Sequence, residues 1–86
     1  MSPHPGAWNE SIVIRLPDAD RVEVVGNARQ AKEILLQRWP PAAATGPAYT
    51  SALTACEEVL SGHAPAYLSR IAFFKAAREA DLASDK

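Results

Sequence analysis

Two breaks, Pro40-Pro41 and Gly46-Pro47, stand a few residues apart in the middle of this 86-residue chain, and each borders a periodic apolar segment. Proline lacks a backbone N–H donor and pushes the residue before it out of the helical region, so no helix runs through either pair. Proline after glycine also suits the first position of a new helix. The chain therefore turns a corner here, and the segments on its two sides are separate helices.

The apolar spacing and the boundary residues together predict three helices. Asn27 is a favourable N-cap, and Gln30 stands three residues later, as in a capping box. Gly62 suits the end of the second helix, and Pro65 suits the start of the third. The predicted bounds are 28–39, 47–61 and 65–81.

A β-hairpin is predicted over residues 11–25, where two β-branched runs, SIVIRL and VEVV, flank turn-forming residues. A register that keeps apolar residues together also sets Arg15 opposite Glu23, a favourable cross-strand pair. The loop then spans residues 17–21. The full set of predicted partners is Leu16 with Val22, Arg15 with Glu23, Ile14 with Val24, and Val13 with Val25.

These elements predict one small α+β domain, an antiparallel hairpin packed against three helices, over residues 11–82. Residues 1–10 contain two prolines and a glycine without apolar periodicity, so we expect a flexible arm, in which Trp8 either docks on the domain or is exposed. We expect a disordered tail over residues 83–86. With 48% hydrophobic and 22% charged residues the chain is typical of a globular protein. A chain this short builds only a modest core, and a partner subunit would add to it.

Composition also bears on location and partners. The net charge is -1 and no basic run stands out, so nucleic acid is a poor match. The N-terminus lacks the pattern of a secretory signal, and no apolar run approaches the roughly 20 residues that cross a membrane. One cysteine cannot form an internal disulfide. We therefore expect a cytoplasmic protein.

Residues suited to catalysis or metal binding are few and scattered. Cys56 falls in the apolar stripe of the second helix, where a thiol packs as a small hydrophobe. His4 and His63 lack metal-ligand spacing with it, and His63 suits a helix end. The acidic pairs, Asp18 with Asp20 and Glu57 with Glu58, fall on a turn and on a solvent face. The sequence therefore predicts no enzyme, no metal and no cofactor.

The third helix is apolar on two sides. One side carries Phe73 among alanines, and the other carries Tyr67, Leu68, Ile71 and Phe74. Two alternatives remain: either both sides are buried within the chain, or the second side is an interface. We expect an interface, with Tyr67, Ile71 and Phe74 in contact and Arg78 at the rim.

Several short segments stand at a recognisable spacing along the chain, and they contain Trp39, Pro40, Gly46, Pro47, Tyr49, Cys56, Arg70 and Phe73. From about residue 8 to residue 82, these segments resemble those of the domain of unknown function 982 family of small bacterial proteins. The resemblance implies strands followed by helices and an unassigned activity, with no catalytic or ligand-binding residues to transfer. Two positions depart from the family pattern: the segment before Arg70 is less polar, and Asp81 stands where a glycine is expected.

The functional expectation is a small non-enzymatic protein-interaction or regulatory module that forms a homodimer or binds another protein. A nucleic-acid-binding accessory protein is the alternative. In this alternative, nucleic acid would be bound by the basic residues of the first and third helices, Arg29, Lys32, Arg70, Lys75 and Arg78.

Overall fold

The computed structural model describes residues 6–17 and 22–83 and contains a two-stranded antiparallel sheet and three α-helices. The predicted α+β class is confirmed. Each helix begins and ends within two residues of its predicted bounds. In chain order the elements are β1 (Ala7–Ile14), β2 (Glu23–Asn27), α1 (Ala28–Gln37), a short 3-10 helix (Pro41–Ala43), α2 (Pro47–Leu60) and α3 (Ala66–Glu79).

The register of the hairpin differs by one residue from the predicted register, which was wrong. Ile12 and Val25 are buried on one face, whereas Val24 is 54% exposed on the other. Residues 12–14 are apolar on both faces of the strand, so the alternation that fixes a register is absent from the sequence, and the helices beneath the sheet select the buried face. The observed partners are Ile12 with Val25, Val13 with Val24, and Ile14 with Glu23.

Arg15 and Glu23, the predicted cross-strand pair, have other partners. The Arg15 backbone N–H donates to the Leu82 carbonyl at 2.9 Å. The Glu23 carboxylate lies 3.2 Å from the guanidinium of Arg38, at the end of α1. These contacts hold the hairpin against the segment after α3 and against the end of α1. Of the predicted loop 17–21, residues 18–21 lie outside the described part of the chain.

The predicted arm and tail are corrected where the structure describes them. Residues 7–10 belong to β1, and Trp8 is buried with only 9% of its surface exposed. Ala83 forms a β-bridge with Ile14, so it too belongs to the domain. The remaining residues of these segments, 1–5 with His4 among them and 84–86, lie outside the described residues.

Gln30 closes both the start of α1 and the outer edge of β2. Its backbone N–H donates to Asn27 Oδ1 at 2.8 Å, which confirms the predicted cap. Its side-chain amide accepts from the Gly26 N–H at 3.0 Å and donates to the Val24 carbonyl at 2.9 Å. Those two backbone groups point away from β1, as the next strand of a sheet would require. The Gln30 amide therefore occupies positions where another chain would add a strand.

Two helices end on a residue in the left-handed conformation. Gly62, at φ +84°, follows α2, and Asp81, at φ +62°, follows α3. Behind Asp81 the Leu82 N–H donates to the Ala77 carbonyl at 2.7 Å, which buries Leu82 against the domain. The Gly62 end was predicted from the sequence. Asp81 adopts the same conformation with a Cβ, which introduces backbone strain.

We expect Asp81→Gly to raise the free energy of unfolding by about 0.5 kcal/mol, since relief of strain exceeds the added entropy of the unfolded glycine. Gly62→Ala is the matched control, because it adds a Cβ to a residue in the left-handed conformation, whereas Asp81→Gly removes one. A methyl group there meets no atom within 4 Å, so backbone strain alone should lower the free energy of unfolding by about 1 kcal/mol. Urea unfolding followed by circular dichroism measures both changes. A neutral Gly62→Ala variant would contradict the strain argument.

The core is centred on Phe73 of α3, which lies between two tryptophans. Its ring centroid is 5.8 Å from that of Trp8 and 5.6 Å from that of Trp39. Trp8 comes from β1 and Trp39 from the corner after α1, so one side chain joins the sheet, the corner and α3. Tyr49 of α2 adds a contact, because its hydroxyl donates to the Leu35 carbonyl at 2.7 Å. This packing leaves the opposite side of α3 facing outward.

Candidate functional surface

Four residues on the outward side of α3 form an exposed stripe, here called the α3 face: Tyr67, Ile71, Phe74 and Arg78. Tyr67 is 57% exposed, Ile71 43% and Phe74 37%. The Arg78 guanidinium lies 5.9 Å from the centre of the Phe74 ring, a cation–π contact that holds the charge on the stripe. Within residues 6–17 and 22–83 nothing covers this apolar surface, so the alternative in which both sides of α3 are buried intramolecularly is wrong for the described part of the chain.

The position of the α3 face follows from what the other side of the helix contacts. Phe73, Ala76 and Ala77 are buried, and small alanines let α3 pack closely against α2. Ser69 is buried on the same side, where its hydroxyl accepts a 2.9 Å hydrogen bond from the Trp8 indole N–H. At 100° per residue, Phe74 lies about 100° and Ile71 about 160° around the helix from Phe73, so the α3 face points away from the buried side.

A groove of about 530 Å³ lies beside the N-terminal half of the α3 face, between β1 and α3. Tyr67 and Ile71 line it from the helix, and Glu10 lines it from the strand. Arg70 crosses its floor: Nε donates to the Glu10 carbonyl at 2.8 Å, and Nη2 lies 3.4 Å from the Glu10 carboxylate. Because the Glu10 side chain is 82% exposed, the carboxylate remains available to a second cation.

The basic residues that a nucleic-acid-binding protein would use here do not form one surface. Arg29 and Lys32 line a separate groove of about 670 Å³ along α1, and the Lys32 ammonium lies 3.8 Å from the Glu57 carboxylate. Arg70 is held by Glu10 in the groove beside α3. Arg78 lies over Phe74. A phosphate backbone needs several cations along one track, whereas Arg29 and Lys32 line one groove, Arg70 lines another, and Arg78 lines neither.

Cys56 is fully buried in α2, as the apolar spacing predicts. Burial is the main reason that its pKa is raised from an ordinary 9.0 to about 11, while the Lys32 charge lowers this pKa and the Glu57 charge raises it. A protonated thiol without solvent access is a poor nucleophile.

The raised pKa of Cys56 makes stability depend on pH. Below about pH 9 the thiol is protonated in both states, whereas between about 9 and 11 it ionises mainly in the unfolded chain. We expect the free energy of unfolding to fall across that window by roughly 2 to 3 kcal/mol more than in Cys56→Ala. Urea unfolding of the wild type and of Cys56→Ala at several pH values measures this difference. Parallel pH profiles would contradict the assignment.

The remaining candidate groups are dispersed. His63 is exposed, and its backbone N–H donates to the Glu58 carbonyl at 2.8 Å, which confirms the predicted place at a helix end. Within residues 6–17 and 22–83, no three His, Cys, Asp or Glu side chains lie close enough to hold a metal ion. Asp18 and Asp20 lie outside these ranges. No helix in the described part of the chain is both long enough and apolar enough to span a bilayer.

Comparison with known families identifies the chain. It matches the family described as "Protein of unknown function (DUF982)" over residues 10–84, a stretch from β1 to the segment after α3. The chain belongs to the DUF982 family. The search of curated proteins and the search of solved structures each returned no match. The resemblance noted in the sequence is therefore confirmed.

The segments that resemble DUF982 meet in the folded chain. Trp39 packs between Phe73 and Tyr49, with ring centroids 5.6 and 6.3 Å away. Gly46 lies against α3, where an added Cβ would be only 2.5 Å from Glu79 Oε1. Glycine therefore lets this carboxylate approach the N-terminus of α2, where a negative charge is favourable. These DUF982 positions build the corner and the core, and Arg70 is the one of them that borders the α3 face.

Sequence reasoning missed Glu10, which lines the groove beside the α3 face, and Ser69, which binds Trp8 on the buried side of α3. Glu10 was assigned to the arm, and Ser69 was not singled out. A lone Trp8 beyond the predicted hairpin was the available signal, because a tryptophan tends to be buried and its N–H then needs a partner. The hydroxyl that supplies this partner is 61 residues away in sequence, and no local pattern indicates it.

Proposed function

We propose that this DUF982 protein is a small, non-enzymatic interaction module of the cytoplasm that self-associates through the α3 face. The observation that carries the proposal is the exposure of Tyr67, Ile71 and Phe74 along one stripe of an otherwise well-packed helix. Contiguous apolar patches on small domains commonly mark interfaces, and aromatic residues with arginine are enriched at them.

Two further observations support an interaction role over catalysis. The one thiol is buried and protonated at neutral pH, and a free cysteine suits a reducing compartment. Several polar side chains that line the two grooves make structural contacts, such as Arg70 with Glu10 and Lys32 with Glu57. Convergent, unengaged polar groups are what a small-molecule site requires.

Replacing Ile71 and Phe74 together by glutamate should abolish self-association and leave the fold intact, because both side chains lie on the surface. Light scattering behind a sizing column measures the mass across concentrations, and circular dichroism checks the fold. Leu36→Glu is the matched control, since Leu36 is 59% exposed on α1, away from the α3 face. A wild-type mass that stays monomeric at all concentrations would contradict self-association, as would an unchanged dimer in the double variant.

A further inference from the structure

Building on the proposed self-association, we propose that the α3 faces of two copies pair antiparallel about a two-fold axis, with Arg78 of each copy against Glu10 of the other. The surface involved is the α3 face together with the groove beside it. This arrangement names the occupant of the face as a second copy of the chain and fixes its direction.

The spacing of the α3 face supports an antiparallel pair. Its residues follow one another at steps of four, three and four positions, the spacing of a helix–helix seam. This order of steps is the same when it is read backwards. An antiparallel copy therefore meets the stripe residue for residue, with Ile71 opposite Phe74 of the second copy and Tyr67 opposite its Arg78.

Charge also selects this direction. The N-terminal end of the face borders the exposed Glu10 carboxylate, whereas the C-terminal end carries Arg78. An antiparallel two-fold pair places acid against base at both ends, because an isologous contact occurs twice. A parallel two-fold pair would instead set each Arg78 against its own counterpart, and like charges repel at such distances.

The flanking residues fit the same arrangement. Leu68 and Lys75 lie seven positions apart along one side of the stripe, and Leu68 is 40% exposed. In the antiparallel pair the methylene stem of Lys75 covers Leu68 of the second copy while its ammonium stays in water. In a parallel pair, Lys75 would lie opposite Arg70 of the second copy, which adds a second repulsive contact.

The outer edge of β2 is a less suitable place for a second copy. Backbone pairing there needs the Gly26 N–H and the Val24 carbonyl, and both are bonded to the Gln30 side chain. The α3 face has no such cover within the described chain. A 14-residue helix is about 21 Å long, which limits the contact to less than a standard interface, so we expect a weak, concentration-dependent dimer.

Two single charge reversals, Glu10→Lys and Arg78→Glu, test the pairing. In either variant alone, both ends of the interface carry like charges, so we expect the dissociation constant to rise at least tenfold, to about 1 mM or beyond if the native dimer forms near 0.1 mM. In a mixture of the two variants, acid faces base again at both ends. We expect a heterodimer within about threefold of the wild-type affinity.

The measurement is sedimentation equilibrium of each variant and of the equimolar mixture, with one variant labelled with ¹⁵N so that native mass spectrometry identifies the heterodimer. Arg29→Glu changes the charge equally on α1 and should dimerise like wild type. If the single variants dimerise normally, or the mixture forms no heterodimer, the antiparallel pairing is overturned while self-association stands. A wild-type chain that remains monomeric up to about 1 mM overturns both proposals.

Discussion

Replacing Phe73 by alanine is expected to lower the free energy of unfolding by about 3 to 5 kcal/mol, because a large buried side chain is removed and its cavity cannot collapse fully. Phe73 is 0% exposed and contacts both Trp8 and Trp39. A chain of 86 residues has a total stability of about 4 to 13 kcal/mol, so this loss is a large share of the total.

Phe74→Ala is the matched control, because it removes the same side chain one position further along α3. Phe74 is 37% exposed, so we expect a loss of about 1 kcal/mol or less. Urea unfolding followed by tryptophan fluorescence and by circular dichroism measures both variants. Phe73→Leu, expected to lose about 1.5 kcal/mol, supplies a folded intermediate case. Equal losses at the two phenylalanines would contradict the orientation assigned to α3.

Replacing Trp8 by alanine should lower the free energy of unfolding by a similar amount, about 3 to 5 kcal/mol. A Trp8 side chain exposed in a flexible arm would make this change neutral, so the outcome decides between the two alternatives that the sequence leaves open for Trp8. The indole packs on Phe73, and its N–H donates to Ser69 Oγ at 2.9 Å in a buried hydrogen bond. Asn9→Ala, at an exposed position of the same strand, should stay within about 0.5 kcal/mol of wild type.

The hydrogen bond can be separated from the packing by a double-mutant cycle. Ser69→Ala leaves the Trp8 indole N–H buried without its acceptor, which should cost about 1 to 3 kcal/mol. Trp8→Phe removes the donor but keeps most of the apolar surface. If the bond contributes as the geometry indicates, the second substitution should cost less in the presence of the first, by about 1 kcal/mol. Strict additivity would show that packing alone holds β1 on α3.

The helices were predictable because their signals are local. Asn27 and Gln30 close a cap within four residues, and Gly62 supplies the conformation that ends α2. The strands were predicted less well. Residues 12–14 are apolar throughout, so two registers bury similar surface, and the choice depends on Leu82, Ala83 and the helices that pack from far away in sequence.

The α3 face was also predictable only in part from the sequence. The sequence predicts two apolar sides on one helix, because helical periodicity places Phe73 and Phe74 about 100° apart. It leaves open which side is covered. The answer depends on how much surface β1, α2 and the corner at Trp39 supply, and they cover the side that carries Phe73 and Ser69.

The sequence by itself determined the three helices, their ends, the buried place of Cys56 and the α+β class, since capping, proline and apolar periodicity act over a few residues. Only the tertiary structure decided the hairpin register, the burial of Trp8 and the position of Glu10 beside Tyr67 and Arg70. Those features come from contacts across 60 or more residues or from competition between faces of similar polarity. Neighbouring residues do not encode such contacts, because their free energy arises only when the whole core is assembled.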